Sequence, residues 1–133
     1  MPQNRAKFIH ARIKKEKTTS LSEVDLSYED RIFMGKSAPT PNENINEVRL
    51  VSGATLEALE LLIGKKSVFT LKFARVMHVA DTHIVMVEIL LEDSGRKIEL
   101  LGVSHVVNGD LTSASARATL DAANRFLDLY LSR

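Results

Sequence analysis

Four histidines are the side chains best suited to metal or acid–base chemistry in this chain of 133 residues. His78 and His83 flank one predicted turn, and His105 ends a nearby predicted strand. Three histidines with an acidic neighbour would suit zinc, which prefers nitrogen and carboxylate ligands. Their spacing matches no standard metal motif, however, and histidines are common at strand ends. We therefore expect neither a metal site nor a bound cofactor.

Nucleophilic catalysis has little support in the sequence. Ser104 and His105 are neighbours on a predicted strand, where adjacent side chains point to opposite faces, and no Gly-x-Ser-x-Gly elbow is present. The chain has no cysteine, which excludes disulfides, thiolate metal sites and cysteine nucleophiles. We expect a protein without catalytic activity.

The turn over residues 108–113 is the candidate ligand site, because it joins a predicted strand to the N-terminus of a predicted helix. Free amides and the positive end of the helix dipole attract an anion such as the carboxylate of an amino acid. Asp110 brings a negative charge to the same turn, so a simple turn with a helix cap at Thr112 or Ser113 is the alternative. The candidate ligand-binding residues are Asn108, Gly109, Asp110 and Ser113.

The basic residues of the sequence are more typical of a structural role than of catalysis or nucleic-acid binding. Arg12 and Arg75 occupy equivalent places in a repeat described below, and we expect each to pair with an acid such as Glu29 or Glu92. Basic residues gather in residues 5–17, but the net charge is only +1. The start of the last predicted helix lacks the basic residues that double-stranded RNA-binding domains use, so we do not expect nucleic-acid binding.

The two halves of the sequence resemble each other, because four segments of the first half recur in the same order in the second half. Residues 11–13 return as 74–76, residues 24–30 as 87–93, residues 33–37 as 100–104, and residues 54–58 as 118–122. Each copy predicts three strands followed by one helix. The predicted fold is therefore α+β: two tandem β-β-β-α repeats with pseudo-twofold symmetry and helices packed on antiparallel sheet.

We expect a single domain over residues 1–133, with repeat 1 at about residues 6–64, repeat 2 at about residues 67–132, and a polar linker at residues 38–44. An apolar content of 44% suffices for a core. No apolar run approaches the ~18 residues that suggest a membrane span, and the N-terminus has no signal-peptide pattern. A soluble, cytoplasmic protein without membrane contact is expected.

The predicted strand over residues 83–91 is apolar on both faces. Val85, Val87 and Ile89 point one way, and Ile84 and Met86 point the other. A sheet covered by helices on one side should have a polar second face, as the matching strand of the first copy does. The second face therefore packs against the first half or another subunit, and we expect a homodimer.

The segment over residues 113–127, preceded by Gly109 and Asp110, resembles the closing helix of the regulatory domain of 2-isopropylmalate synthases. It has that family's Ala-Ser-Ala run and an ending similar to Ala-x-Asn-Arg-Leu. The family's regulatory domain is also a duplicated β-β-β-α unit that dimerises and binds leucine as feedback inhibitor. The resemblance implies a stand-alone regulatory domain without synthase activity. The family's glycine-rich loop before the first helix is replaced here by residues 39–44.

The leading functional hypothesis is a non-catalytic regulatory or small-ligand-sensing and dimerisation module, with an anionic small molecule such as an amino acid at residues 108–113. One alternative is a structural protein-interaction module without a ligand. Further alternatives are a hot-dog-like thioesterase or a nucleic-acid-binding protein. The hot-dog fold wraps its sheet around a central helix, whereas the longest predicted helix here closes the chain.

Overall fold

The structure is a computed structural model that describes residues 5–16, 19–39 and 46–131, including all side chains in these ranges except those of Glu16 and residues 128–131. The elements in chain order are β1 (Lys7–Glu16), β2 (Thr19–Tyr28), β3 (Arg31–Ser37), α1 (Glu47–Ile63), β4 (Phe69–Val79), β5 (Thr82–Asp93), β6 (Arg96–His105) and α2 (Leu111–Leu131). The predicted α+β fold of two tandem β-β-β-α units is confirmed. Most of the predicted linker over residues 38–44 lies outside the described residues.

Each repeat forms its own three-stranded antiparallel meander, with β2 and β5 as the central strands. The residues paired across the three strands are Ala11, Val24 and Gly35 in the first sheet and Ala74, Val87 and Gly102 in the second. The repeat that the sequence predicts is therefore present in the pairing register. Two separate sheets are not the single wrapped sheet of a hot-dog fold, so the thioesterase alternative loses its structural basis.

The hairpins of the two repeats differ in length. Glu29 and Asp30 form the turn between β2 and β3, with φ angles of 51° and 63°. Their equivalents, Glu92 and Asp93, still pair within β5, and the second hairpin turns at residues 94–95. In the second repeat the two acids therefore lie within a strand and not in a turn. Its hairpin is longer and carries the two acids along the strand.

The helices lie unusually close to the third strand of each sheet, and a glycine permits it. A Cβ atom added to Gly35 would lie 2.0 Å from the carbonyl oxygen of Ala54 in α1. A Cβ atom added to Gly102 would lie 2.1 Å from the carbonyl oxygen of Ala118 in α2. These distances are far inside van der Waals contact, so only glycine fits at either position.

A helix carboxylate also binds the backbone of each third strand, one residue after this glycine. The amide of Lys36 donates to Oε1 of Glu57 at 3.2 Å, and the amide of Val103 donates to Oδ2 of Asp121 at 3.0 Å. Both strands lie at a sheet edge, where amides lack a neighbouring strand. The two repeats therefore dock their helices through equivalent contacts.

Both helices begin at equivalent capping residues. Asn46 and Asp110 each accept the amide of the third helical residue, at 3.2 Å and 3.0 Å. At its other end, α1 stops at Gly64, which has a φ of 73° and whose amide donates to the carbonyl oxygen of Glu60. The prediction of a cap at Thr112 or Ser113 is wrong, because Asp110 binds the amide of Ser113 and thereby fills the capping position.

The helices cover one face of each sheet and contact each other. The helix residues buried in the core include Val48, Val51, Thr55, Leu59, Ala116, Leu120, Ala123 and Leu127. Leu62 of α1 is half-buried. The core therefore lies between the two helices and the two sheets. Among residues 5–16, 19–39 and 46–131, no helix combines the length and apolar character needed to cross a bilayer.

Two residues of the segment that resembles the synthase regulatory domain, Asn124 and Arg117, contact the start of the first repeat. Oδ1 of Asn124 accepts the amide of Ala6 at 3.0 Å, and its side-chain amide donates to the carbonyl oxygen of Ala6 at 3.3 Å. The guanidinium of Arg117 lies 5.2 Å from the centre of the Phe8 ring. These contacts hold α2 of the second repeat against the start of the first sheet.

Candidate functional site

The faces of the two sheets that point away from the helices are the surfaces with the greatest chemical difference. Side chains alternate along each strand, so the buried residues of β2 and β5 identify which side chains point outward. The outward-facing residues of the second sheet, called the apolar face below, are Phe73, Arg75, Met77, Val79, Ile84, Met86, Glu88, Leu90, Glu99, Leu101, Val103 and His105.

Large apolar side chains reach solvent across this face. Leu101 is 48% exposed and Val103 is 44% exposed. Ile84 and Met86, on the central strand, are half-buried among their neighbours. The predicted strand with two apolar faces is therefore confirmed. The sequence predicts that the second face packs against either the first half of the chain or another subunit. The prediction of packing against the first half is wrong, because these side chains remain exposed.

Two opposite charges, Arg75 and Glu88, lie near the middle of the apolar face, and Glu99 lies on its edge strand β6. The guanidinium of Arg75 is 5.2 Å from the centre of the Phe73 ring, a cation–π contact. Glu88 is half-buried and pairs with Phe73 across the strands. In the part of the chain that the structure describes, neither Arg75 nor Glu88 has an ion pair.

The outer face of the first sheet, called the charged face below, is built around Glu23. Its Oε1 lies 2.7 Å from Nε of Arg12 and 3.2 Å from Nζ of Lys14, while its Oε2 lies 3.8 Å from Nζ of Lys36. Nη1 of Arg12 also lies 3.2 Å from Oδ2 of Asp25. Hydrogen bonds from Lys14 and Arg12 lower the pKa of Glu23, and hydrogen bonds to Asp25 and Glu23 raise the pKa of Arg12.

These partners correct the expected roles of the repeated arginines. Neither Glu29 nor Glu92 is bound to them: Arg12 binds acids of the neighbouring strand, and Arg75 lies over an aromatic ring. The register explains the difference, because the residue opposite Arg12 is Glu23 and the residue opposite Arg75 is Met86.

The two outer faces can be compared position by position because their registers match. The equivalent pairs, first repeat before second, are His10 and Phe73, Arg12 and Arg75, Lys14 and Met77, Leu21 and Ile84, Glu23 and Met86, Asp25 and Glu88, Met34 and Leu101, and Lys36 and Val103. Three positions that are charged in the first sheet hold methionine or valine in the second. The two outer faces therefore share one strand register and differ in the chemistry of their side chains.

The sequence indicates that the strand over residues 83–91 is apolar on both faces and misses the relation of Glu88 to Arg75. The signal lies in the first repeat, where the equivalent residues Arg12 and Asp25 form an ion pair. That comparison requires the strand register, which includes an irregularity in β1 between Phe8 and His10 and in β4 between Leu71 and Phe73.

The predicted ligand residues lie together on the turn before α2. Asn108 and Gly109 are exposed and have φ angles of 53° and 71°. Asp110 is exposed, and its carboxylate already accepts the amide of Ser113. This hydrogen bond lowers the pKa of Asp110, which keeps a negative charge at the helix start. Beside it, the hydroxyl of Thr112 donates to Oε1 of Glu47 at 2.8 Å.

A groove of about 560 Å³ lies at the C-terminal end of α1. Three of its charged side chains, those of Glu57, Glu60 and Lys65, have partners within the chain. Oε2 of Glu60 accepts the amides of Val68 and Phe69. Nζ of Lys65 lies 3.0 Å from Oδ1 of Asp93. The groove therefore presents few free groups for recognising a ligand.

Three of the four histidines divide between the two faces of the second sheet, and His10 lies on the outer face of the first sheet. His78 and His83 stack with their ring centres 4.6 Å apart, on the side of the helices. His105 belongs to the apolar face on the other side. Within residues 5–16, 19–39 and 46–131, no three histidine or carboxylate side chains gather as a metal site would require.

The chain matches no model of a known protein family, and a comparison with curated proteins finds no match either.

Proposed function

We propose that this chain is a non-catalytic regulatory module whose working form is a homodimer, assembled through the apolar face. The observation that carries the proposal is the replacement of Lys14, Glu23 and Lys36 of the first sheet by Met77, Met86 and Val103 of the second. An exposed, contiguous apolar patch is the usual mark of an interaction surface.

A sheet face is suited to packing against another sheet face. Two sheets pack about 10 Å apart, with side chains of the facing surfaces interdigitated. Ile84 and Met86 stand on the central strand of the face, between the outward-facing residues of β4 and β6. The proposal keeps the cytoplasmic location expected from the sequence.

The replacement Ile84→Lys tests the dimer. A lysine there would bring an unpaired ammonium into the interface, so we expect a dimeric wild-type protein and a monomeric variant. Leu21→Lys is the matched control, because Leu21 occupies the equivalent position on the charged face. Mass in solution by light scattering gives the readout, and circular dichroism checks folding. A monomeric wild-type protein, or a dimeric and folded Ile84→Lys variant, contradicts the proposal.

Small-ligand sensing at residues 108–113 is the second candidate, and it agrees with the resemblance to a leucine-binding regulatory domain. The carboxylates of Glu47 and Asp110 lie at the starts of the two helices, which are joined by the Thr112 hydroxyl. A free amino acid carries an ammonium that such carboxylates attract, as well as a carboxylate that the positive end of a helix dipole attracts. This combination favours an amino acid over a simple anion.

Thermal unfolding with a panel of amino acids, organic acids and nucleotides tests this second candidate. A ligand at 100 times its dissociation constant stabilises a protein by about 2.7 kcal/mol, which raises the melting temperature measurably. We expect a selective shift with an amino acid, reduced by Glu47→Gln, which removes one of the carboxylate charges that would attract the ammonium. A flat response across the panel would favour the alternative of a protein-interaction module without a ligand.

A further inference from the structure

Arg75 and Glu88 are placed as an ion pair that the single chain does not form. Across β4 and β5, Arg75 is opposite Met86 and Glu88 is opposite Phe73, so the two charges are diagonal neighbours. The guanidinium instead lies over the Phe73 ring. No ion pair involves either residue within the described ranges.

The first repeat demonstrates that these positions can pair within one chain. Arg12 and Asp25 are their equivalents, and they form an ion pair at 3.2 Å. The surroundings differ, because Glu23 and two lysines complete the charged network there. In the second repeat the same diagonal is surrounded by apolar side chains, where an unpaired charge becomes costly once water is excluded.

We infer that the apolar face binds a second copy of this chain, with Arg75 of each copy paired to the partner's Glu88. This inference rests on the proposed homodimer and specifies how its two faces meet. A twofold axis in the plane between the faces, perpendicular to the line joining Arg75 and Glu88, brings each of these residues over the other in the partner. One symmetry operation thus forms two equivalent ion pairs.

The balance of charge favours a second copy over a different partner. Arg75 and Glu88 lie close together near the middle of the face, while a further acid, Glu99, stands on the edge strand β6. A twofold interface pairs the two central charges without any other component. An unrelated protein would need an acid and a base at the matching diagonal. The self-complementary arrangement therefore commits the face to another copy of itself.

Charge reversal provides a test with a distinctive outcome. In a homodimer of Arg75→Glu, each of the two contacts between positions 75 and 88 joins two acids. In a homodimer of Glu88→Arg, each of these contacts joins two bases. We expect each single variant to dimerise about 100-fold more weakly than the wild type, or worse, because like charges in an interface repel. Mixed in equal amounts, the variants should form a heterodimer, since every contact then joins an acid to a base. The double variant Arg75→Glu, Glu88→Arg should dimerise alone.

Native mass spectrometry separates these species by mass, and sedimentation equilibrium measures their dissociation constants. Lys66→Glu and Asp81→Arg are the matched controls, because they change the net charge by the same amounts at exposed positions outside the apolar face. Both controls should leave the dissociation constant of the dimer unchanged.

The outcomes distinguish this inference from the proposal beneath it. A dimeric wild type dissociated by Ile84→Lys but insensitive to both charge reversals would overturn the Arg75–Glu88 pairing and leave the homodimer standing. Single variants that stay monomeric when mixed, together with a monomeric double variant, would also overturn the pairing. A wild-type protein that is monomeric throughout would overturn the homodimer itself.

Discussion

The two repeats share their inner faces and differ on their outer faces. On the inner side, Gly35 and Gly102 receive a helix backbone at nearly the same distance. On the outer side, a network around Glu23 is replaced by Met86 and its apolar neighbours. The inner faces maintain the fold of each unit, so they tolerate little change. The outer faces are free to acquire different roles, and this is where the function of each repeat should be sought.

The largest effect is expected from the two glycines, which test how alike the inner faces are. Gly35→Ala and Gly102→Ala each force a Cβ atom into a helix carbonyl at 2.0–2.1 Å. Because backbone atoms cannot move aside as a side chain can, each variant should lose about 3 kcal/mol or more of unfolding free energy. Urea unfolding measures the loss.

Gly53→Ala is the control for this pair. Its Cβ atom would meet the hydroxyl oxygen of Ser37 at 2.9 Å, and that side chain can rotate. Alanine also suits a helix interior better than glycine by about 1 kcal/mol, so this variant should be neutral or slightly stabilised. A large loss at only one of Gly35 and Gly102 would break the equivalence of the inner faces.

A smaller loss of stability is expected from replacing the helix caps. The two caps differ in charge, because Asn46 is neutral and Asp110 is an acid. Asn46→Ala and Asp110→Ala should each cost about 1 kcal/mol at neutral pH, because each leaves a helix amide without its acceptor. The Asn46 contribution does not titrate. The pKa of Asp110 is lower in the folded state than in the unfolded state. Its contribution to folding stability is therefore complete above the ordinary carboxyl pKa of about 3.9. This contribution is lost as the pH falls through the lower pKa of the folded state.

Urea unfolding at about pH 7 and about pH 2.5 distinguishes the two caps. The difference between wild type and Asp110→Ala should shrink in acid, whereas the difference for Asn46→Ala should persist. Equal behaviour of the two variants would mean that the Asp110 charge adds nothing to its role as a cap.

The sequence predicts the fold well because duplication and strand alternation are local patterns that both halves express. It fails where the partner of a residue depends on register. The register of β1 on β2, which is continuous from Glu16 to His10, sets which residue lies opposite Arg12, and a shift of one residue turns every side chain to the other face. Glu23 was therefore missed as its partner. The cap at Asp110 was missed because three neighbouring residues could each have filled that role.

The candidate ligand turn remains a prediction, since the structure gathers its residues but assigns one amide to Asp110. The apolar face was predicted from β5 alone. Its charged pair required the neighbouring strand, because Arg75 and Glu88 are 13 residues apart in the chain and become neighbours only through strand pairing.

The edges of the two sheets bear on how far self-association can proceed. β1 and β4, at one edge of each sheet, carry a register irregularity at the same place. β3 and β6, at the other edge, each have an amide already bound by a helix carboxylate. Such features hinder a further strand from adding to an edge. Copies that meet through a sheet face would then stop at a closed pair rather than grow into open-ended fibrils.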